Sequence, residues 1–133
     1  MADKTSILRA FNTHLFNFLD DIIGIYPDNE ELKYARTSFD TIKRANPTLI
    51  VKVWFTFIYT PYQAVIDAGN IDFFFDKDYG NDLIYIANSK EIMGIIDKIR
   101  EPIRGMDVIN RAHSAKYIQN LSKMSTIYND LTK

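Results

Sequence analysis

Apolar residues recur at steps of three and four along the first part of the chain, which is the spacing of one face of an α-helix. The stripe consists of Ile7, Leu8, Phe11, Leu15, Phe18, Leu19 and Ile22. Thr5 or Asp3 can accept hydrogen bonds from the free amides at the start of this helix, and Gly24 is suited to end it. The pattern therefore predicts a first helix over residues 5–23.

A second helix is predicted after Pro27, with Asp28 or Asn29 as its cap. Two glutamates in the first turn suit the positive end of the helix dipole, and Lys43 and Arg44 suit the negative end. The buried face of this helix is predicted to consist of Leu32, Ala35, Phe39 and Ile42.

The segment 48–60 fits two patterns. Its β-branched and aromatic residues are typical of a strand, and every second residue from Val51 to Tyr59 is apolar. Helical spacing is fitted by Ile50, Val53, Trp54, Phe57 and Ile58. Because Asn46 and Pro47 supply a cap and a first helical residue, we favour a buried central helix. Beyond it, Pro61 kinks this helix or separates it from a short one over residues 62–68.

The remaining segments continue the helical pattern after an interruption. Residues 67–82 carry five Asp and one Lys around three consecutive Phe, and predict an irregular loop. A helix follows, with Asn88 at its start and Pro102 bending or ending it. Its stripe comprises Ile92, Ile95, Ile96, Ile99 and Ile103. Asp107 can cap a last helix that runs to about residue 130. That helix is expected to pack through Ile109, Ala112, Ile118, Leu121, Ser125 and Tyr128.

Together these segments predict an all-α fold, a compact bundle of about five or six helices around the central helix 48–60. The length of 133 residues is that of one domain, and no repeat or linker divides residues 1–133. The central segment is shorter than the roughly 20 apolar residues that cross a bilayer, and Lys52 interrupts it. We therefore expect no membrane span.

Composition excludes several kinds of chemistry. Sixteen basic and seventeen acidic side chains give a formal net charge of −1, which is typical of neither a nucleic-acid coat nor an acidic tail. The chain has no cysteine, so disulfides, thiol nucleophiles and thiolate metal sites are excluded. The polar start of the chain has no signal-peptide pattern, and we expect an intracellular, reducing setting.

Few side chains offer catalytic or metal-binding chemistry. Neither His14 nor His113 has a second histidine or a carboxylate at ligand spacing. The Asp-rich loop begins like a calcium loop, but Gly80 is the fifth residue from Asp76 instead of the sixth. Ala87 stands where a bidentate glutamate is required. We therefore expect a non-enzymatic protein with no catalytic residue, no metal and no cofactor.

Basic residues outnumber acidic ones by six to two over residues 98–123. Arg100 and Arg104 are four residues apart and share a helical face, and Arg111 and Lys116 follow on the last helix. This basic patch can bind a phosphate backbone or an acidic partner. It can equally offset the acidic loop or form a solvated helix surface. We favour the second interpretation, because four net charges fall short of a polybasic stripe.

Aromatic residues are abundant, with nine Phe, eight Tyr and one Trp. Most serve as core volume in a small helical protein, but aromatic side chains are also enriched at the buried centre of protein interfaces. The candidate interface residues are Trp54, Phe55, Tyr59, Tyr62 and Phe74.

Several short patterns extend over most of the chain. They are Phe18-Leu19-Asp20-Asp21-Ile22, Asn46-Pro47 leading to Lys52 and Trp54, Pro61-Tyr62, Phe73-Phe74-Phe75 with Asp78-Tyr79, Pro102-Ile103-Arg104, and Tyr117-Ile118-Gln119-Asn120-Leu121-Ser122-Lys123. In these patterns the chain resembles a family of small helical proteins encoded by nucleocytoplasmic large DNA viruses of the phycodnavirus and mimivirus-like group. The family supplies no catalytic or binding residues to carry over.

This resemblance implies a structural or interaction protein, in its most concrete form a minor, capsid-associated component of the virion. Its partners would be capsid or internal virion proteins, and its location the virion or the cytoplasm of the infected cell. The alternative is a nucleic-acid-associated regulator that uses the basic C-terminal helices.

Overall fold

The chain is helical throughout the part that the computed structural model describes, which comprises residues 3–69 and 89–132. Six α-helices lie in these residues: α1 Lys4–Ile25, α2 Glu30–Ala45, α3 Leu49–Val53, α4 Gln63–Asp67, α5 Ser89–Arg104 and α6 Val108–Leu131. No strand occurs in the same residues, and the predicted all-α bundle is confirmed. Most of the loop predicted over residues 67–82 lies outside the described residues.

The first two helices begin where their capping residues stand. The Asp3 carboxylate accepts a hydrogen bond from the Ser6 backbone N–H at 2.7 Å, and the Asn29 side chain accepts one from the Leu32 N–H at 3.1 Å. The end predicted at Gly24 is wrong, because α1 continues one residue further. The backbone N–H that follows α1 still bonds to a carbonyl within the helix, so the glycine is not needed as a terminator.

The central segment is helical, which settles the choice between helix and strand, but it is not one continuous α-helix. After α3 the backbone widens into a π-helix, Trp54–Tyr59, and then tightens into a 3₁₀-helix, Thr60–Tyr62. The Thr60 backbone N–H bonds to the Phe55 carbonyl, and the Thr60 hydroxyl donates to the same oxygen at 2.7 Å. These bonds span five residues, the interval of a π-helix.

The short helix predicted over residues 62–68 corresponds to α4, which ends at Asp67. Gly69 has a φ of +79°, a left-handed conformation that glycine adopts without steric cost. Its N–H bonds to the Ile66 carbonyl at 2.9 Å, which closes the end of α4.

The last two helices confirm most of the predicted stripes. The residues found buried are Ile95, Ile99 and Ile103 of α5 and Ile118, Leu121, Ser125 and Tyr128 of α6. The side chains of Ile92 and Ile96 lie outside the described residues. Pro102 does not end α5, which runs two residues further.

Two residues assigned to the buried face of α6 are exposed. Ile109 is 71% exposed, and Ala112 is also on the surface. The reason is angular: Ile109 lies nine residues before Ile118, which places the two about 180° apart around the helix. The stripe that reaches the core therefore starts after Ala112.

The core forms where α1, the central segment and α6 meet, while α2 packs mainly on α5. Trp54 is at its centre, with 3% of its surface exposed, and its indole N–H donates to the Ser122 hydroxyl at 3.0 Å. The Phe11 ring meets the Trp54 ring edge to face, with centroids 6.1 Å apart. One buried hydrogen bond and one ring pair thus fix the central segment between α1 and α6.

None of the helices in residues 3–69 and 89–132 combines the length and the apolar character needed to cross a membrane.

Replacement of Ser122 by alanine tests the central hydrogen bond. Ser122→Ala leaves the Trp54 N–H buried without an acceptor, which costs about 1–3 kcal/mol of unfolding free energy. The matched control is Ser114→Ala, because Ser114 is also buried on α6, and within residues 3–69 and 89–132 its hydroxyl bonds only to the weakly accepting sulfur of Met106. The unfolding free energies of both variants are measured by urea unfolding, monitored through the fluorescence of the single tryptophan. Equal losses in the two variants would contradict a special role for the Trp54 bond.

Candidate functional site

An open groove of about 640 Å³ runs along the outer seam between α1 and α2, and we call it the α1–α2 groove. Its charged and central residues are Arg9, Asn12, Phe16, Asp20, Arg36, Asp40, Lys43, Arg44 and Pro47. Four of these side chains are basic and two are acidic, so the groove carries a net charge of +2 in a chain whose net charge is −1.

The sequence builds this groove from two polar stripes. On α2, Arg36, Asp40 and Arg44 follow one another at intervals of four, with Lys43 beside them. This row lies beside the buried stripe of α2, so its side chains reach the surface at the seam with α1. From the sequence, Lys43 and Arg44 are assigned only a role at the negative end of the helix dipole. The four-residue spacing from Arg36 was the signal that these side chains share a face.

Phe16 forms the floor of the groove beneath two cations. Its ring is 9% exposed, and the Arg36 guanidinium carbon and the Lys43 Nζ lie 5.2 Å and 4.8 Å from its centroid. Cations are attracted to the negative face of an aromatic ring. The ring therefore holds Arg36 and Lys43 over the floor of the groove.

Two of the four cations are already paired with carboxylates of the chain. The Arg36 Nε lies 2.6 Å from Asp20 Oδ1, and the Arg44 guanidinium lies 3.0 Å from Asp40 Oδ2. Within residues 3–69 and 89–132, no carboxylate forms an ion pair with Arg9 or Lys43. The groove therefore offers two cations that an acidic ligand can reach without displacing another group.

Asn12 adds an unsatisfied acceptor to the wall of the groove. It is 7% exposed, and its Nδ2 donates to the Pro47 carbonyl at 3.2 Å. Because a carbonyl only accepts, this bond fixes the orientation of the amide. The Oδ1 atom is left buried without a hydrogen-bond partner. Such groups are rare in folded proteins.

The residues of the predicted basic patch lie on two helices. Arg100 and Arg104 belong to α5, where Arg104 lies 3.5 Å from Glu101, and Arg111 and Lys116 belong to α6. Arg111 and Lys116 are five residues apart and therefore point about 140° apart around α6. Lys116 instead lines a separate groove with Tyr59, Asp67, Gln119 and Lys123.

The predicted aromatic interface is only partly at the surface. Trp54 is a core residue, so its assignment to an interface is wrong: its hydrogen bond and ring contact hold it inside the bundle. Phe55, Tyr59 and Tyr62 are half-buried. The Tyr59 hydroxyl donates to Asp67 at 3.3 Å, and burial together with this carboxylate raises the pKa of Tyr59. Phe74 lies outside the described residues.

A second polar cluster lies where α1 meets α6. The Tyr117 hydroxyl donates to Asp21, and the Tyr117 ring stacks on Phe18 with centroids 4.9 Å apart. The bond to Asp21, with burial, raises the pKa of Tyr117 to about 12. The hydrogen bond and the ring contact together join α1 to α6.

His14 lies beside the same tyrosine, with ring centroids 4.7 Å apart. Burial lowers the pKa of His14, and the charge of Asp21 partly opposes that effect. Its Nε2 is buried without a hydrogen-bond partner. His113, by contrast, is exposed on α6. In the described part of the chain, no three His, Asp or Glu side chains form a group that could hold a metal ion. Asp76, where the pattern resembling a calcium loop begins, lies outside the described residues.

The stability of the fold should decrease on acidification because of His14. Its pKa is lowered in the folded state, so the unfolded chain binds a proton first, and stability is lost as pH falls through about 6.5. Urea unfolding between pH 7.5 and 5.5 measures the slope. His14→Gln should flatten it, whereas His113→Gln should retain it. A slope that persists unchanged in His14→Gln would contradict this assignment.

Comparison of the chain with protein-family models, with curated proteins and with solved structures finds no match. What the α1–α2 groove can bind therefore follows from its own residues. They form a cationic groove with an aromatic floor and two cations that make no ion pair within the described residues.

Proposed function

We propose that this protein is a non-enzymatic interaction protein that binds an acidic segment of a partner protein in the α1–α2 groove. The observation that carries the proposal is the pair of cations, Arg9 and Lys43, with which no carboxylate of the described residues forms an ion pair. Charge complementarity selects acidic partners and increases their rate of association.

A carboxylate-bearing protein segment suits this groove better than a nucleic acid. Asp20 and Asp40 line the groove among its cations. The phosphates of a nucleic acid are part of its backbone and cannot be turned away from both carboxylates, whereas acidic side chains of a protein segment are flexible and can be. A protein segment can place its acidic side chains opposite the cations and uncharged residues opposite Asp20 and Asp40.

The expected affinity is modest. An exposed ion pair contributes about 0.2–1 kcal/mol, so a few such contacts support a reversible complex. Salt should weaken it, because the Debye length is only about 10 Å at 0.1 M ionic strength.

The finer form of the proposal is that the partner belongs to the particle of a large DNA virus. It is supported by the sequence resemblance alone, and it stays a prediction. Quantitative mass spectrometry of purified particles checks it: a fixed copy number relative to the major coat protein is expected of a building component. Absence from the particles would overturn the virion assignment, while the acidic partner of the groove would still be sought in the infected cell.

Binding of a fluorescein-labelled poly-Glu chain of twenty residues tests the groove by fluorescence anisotropy at low salt. We expect saturable binding that Lys43→Glu weakens about tenfold, since reversing one charge removes one attraction and adds one repulsion. Lys116→Glu is the matched control, because it makes the same charge change on α6, outside the groove. It should have little effect.

Three results would contradict the proposal. The first is absence of poly-Glu binding by the wild-type chain. The second is an equal loss in Lys43→Glu and Lys116→Glu, which would indicate attraction without a site. The third is tighter binding of a twenty-nucleotide single-stranded DNA than of poly-Glu, which would favour the nucleic-acid alternative.

A further inference from the structure

We propose that a cleft between the end of α1 and the start of α6 binds a small organic cation, an ammonium ion with an apolar body. The cleft, which we call the α1–α6 cleft, has a volume of about 340 Å³. It is separate from the α1–α2 groove: Ile25 in its wall lies nine residues beyond Phe16, about 180° away around α1. The inference therefore does not depend on the proposed function.

Asp21 supplies the charge of the α1–α6 cleft. Among the described residues that line the cleft, it is the one carboxylate, and none of them is a lysine or an arginine. The Asp21 side chain is exposed, and its Oδ2 accepts the hydrogen bond from the Tyr117 hydroxyl. Within residues 3–69 and 89–132, its Oδ1 forms no hydrogen bond or ion pair. A cation can therefore pair with Oδ1 while Tyr117 stays in place.

The Asp21 carboxylate is already held in one orientation. Tyr117 donates to it, and the Tyr117 ring is in turn stacked on Phe18, with an angle of 21° between the ring planes. A side chain that is fixed before the ligand arrives loses little conformational freedom on binding. The tyrosine thus positions the carboxylate, and the free oxygen is available for the ligand.

An apolar surface lies beside this carboxylate. Ile25 follows Asp21 by four residues, which places both on one face of α1, and its side chain is 38% exposed. Phe18, Ile22 and Met106, each at most 8% exposed, lie behind it. Because the surface behind is already shielded from water, the apolar gain on binding comes mainly from covering Ile25.

One charge beside an apolar wall favours an organic cation over a metal ion. Metal ions such as calcium take six to eight oxygen ligands, and a single carboxylate does not supply them. An ammonium group needs one such partner, and its apolar body can cover Ile25. Small-ligand sites commonly combine apolar walls with a few polar groups in this way.

Three probes test the cleft with the wild-type chain. Benzylammonium has both the charge and the apolar body, benzyl alcohol has the body alone, and methylammonium has the charge alone. Each is titrated into the isotopically labelled chain, and the amide chemical shifts are followed by NMR. Benzylammonium should bind with a dissociation constant in the millimolar range, as expected of a ligand with so few atoms. The largest shift changes should occur around Asp21, Ile25 and His113, and the other two probes should bind about fivefold more weakly.

Replacement of Asp21 by asparagine removes the charge and keeps an oxygen that can accept from Tyr117. Asp21→Asn should weaken benzylammonium binding about fivefold and leave benzyl alcohol binding unchanged, a difference that a damaged fold would not produce. Glu31→Gln is the matched control, because it makes the same charge change on α2, outside the cleft. It should leave the affinity for benzylammonium unchanged.

The preference of the wild-type chain for benzylammonium, together with its loss in Asp21→Asn, supports the proposal. Equal binding of benzylammonium and benzyl alcohol by the wild-type chain overturns it, and this comparison does not depend on how any variant folds. Equal losses in Asp21→Asn and Glu31→Gln, or shift changes centred away from the cleft, also overturn it. The outcome for poly-Glu is separate, since that ligand is tested at the α1–α2 groove.

Discussion

Burial of one face of α1 is the constraint on which the rest of the structure depends. Phe11 and Leu19 on that face are fully shielded from solvent, and the helix packs on α6 and on the central segment. With this face fixed in the core, the polar residues of α1 must lie on its outer side. The contacts from Asn12 to Pro47 and from Asp20 to Arg36 show that α2 runs antiparallel beside it. The groove is therefore a consequence of how α1 buries its apolar stripe.

The charges of the groove act in two opposing ways. The pairs made by Asp20 and Asp40 hold Arg36 and Arg44 in defined positions, but they also neutralise half of the cationic charge. The Phe16 ring holds Lys43 without neutralising it, because an aromatic face attracts a cation and carries no net charge. The result is a groove with partly satisfied charge. Such an arrangement suits a reversible interaction better than tight, unselective attraction of any polyanion.

Local signals in the sequence were sufficient for the helices but not for the groove. The caps Asp3 and Asn29 act on backbone groups within one turn, so α1 and α2 were predictable almost to the residue. The π-helix was not predictable, because the apolar spacing of residues 54–59 is that of an ordinary helix and does not show a widened turn. The groove was not predictable either, because it depends on how α1 and α2 are aligned along each other, and local sequence signals do not determine that alignment. Ile109 was assigned to the buried face of α6 because it is apolar and lies near the start of that helix. Its position about 180° around the helix from Ile118 places it on the opposite, exposed face.

The most direct test of the central claim is to map the bound surface residue by residue. Amide chemical shifts of the isotopically labelled chain can be followed by NMR during titration with poly-Glu. Binding in the groove predicts that the largest changes occur at α1 and α2 residues that line it, such as Arg9, Thr13 and Lys43. Changes concentrated around Lys116 and Lys123 on α6 would contradict the account.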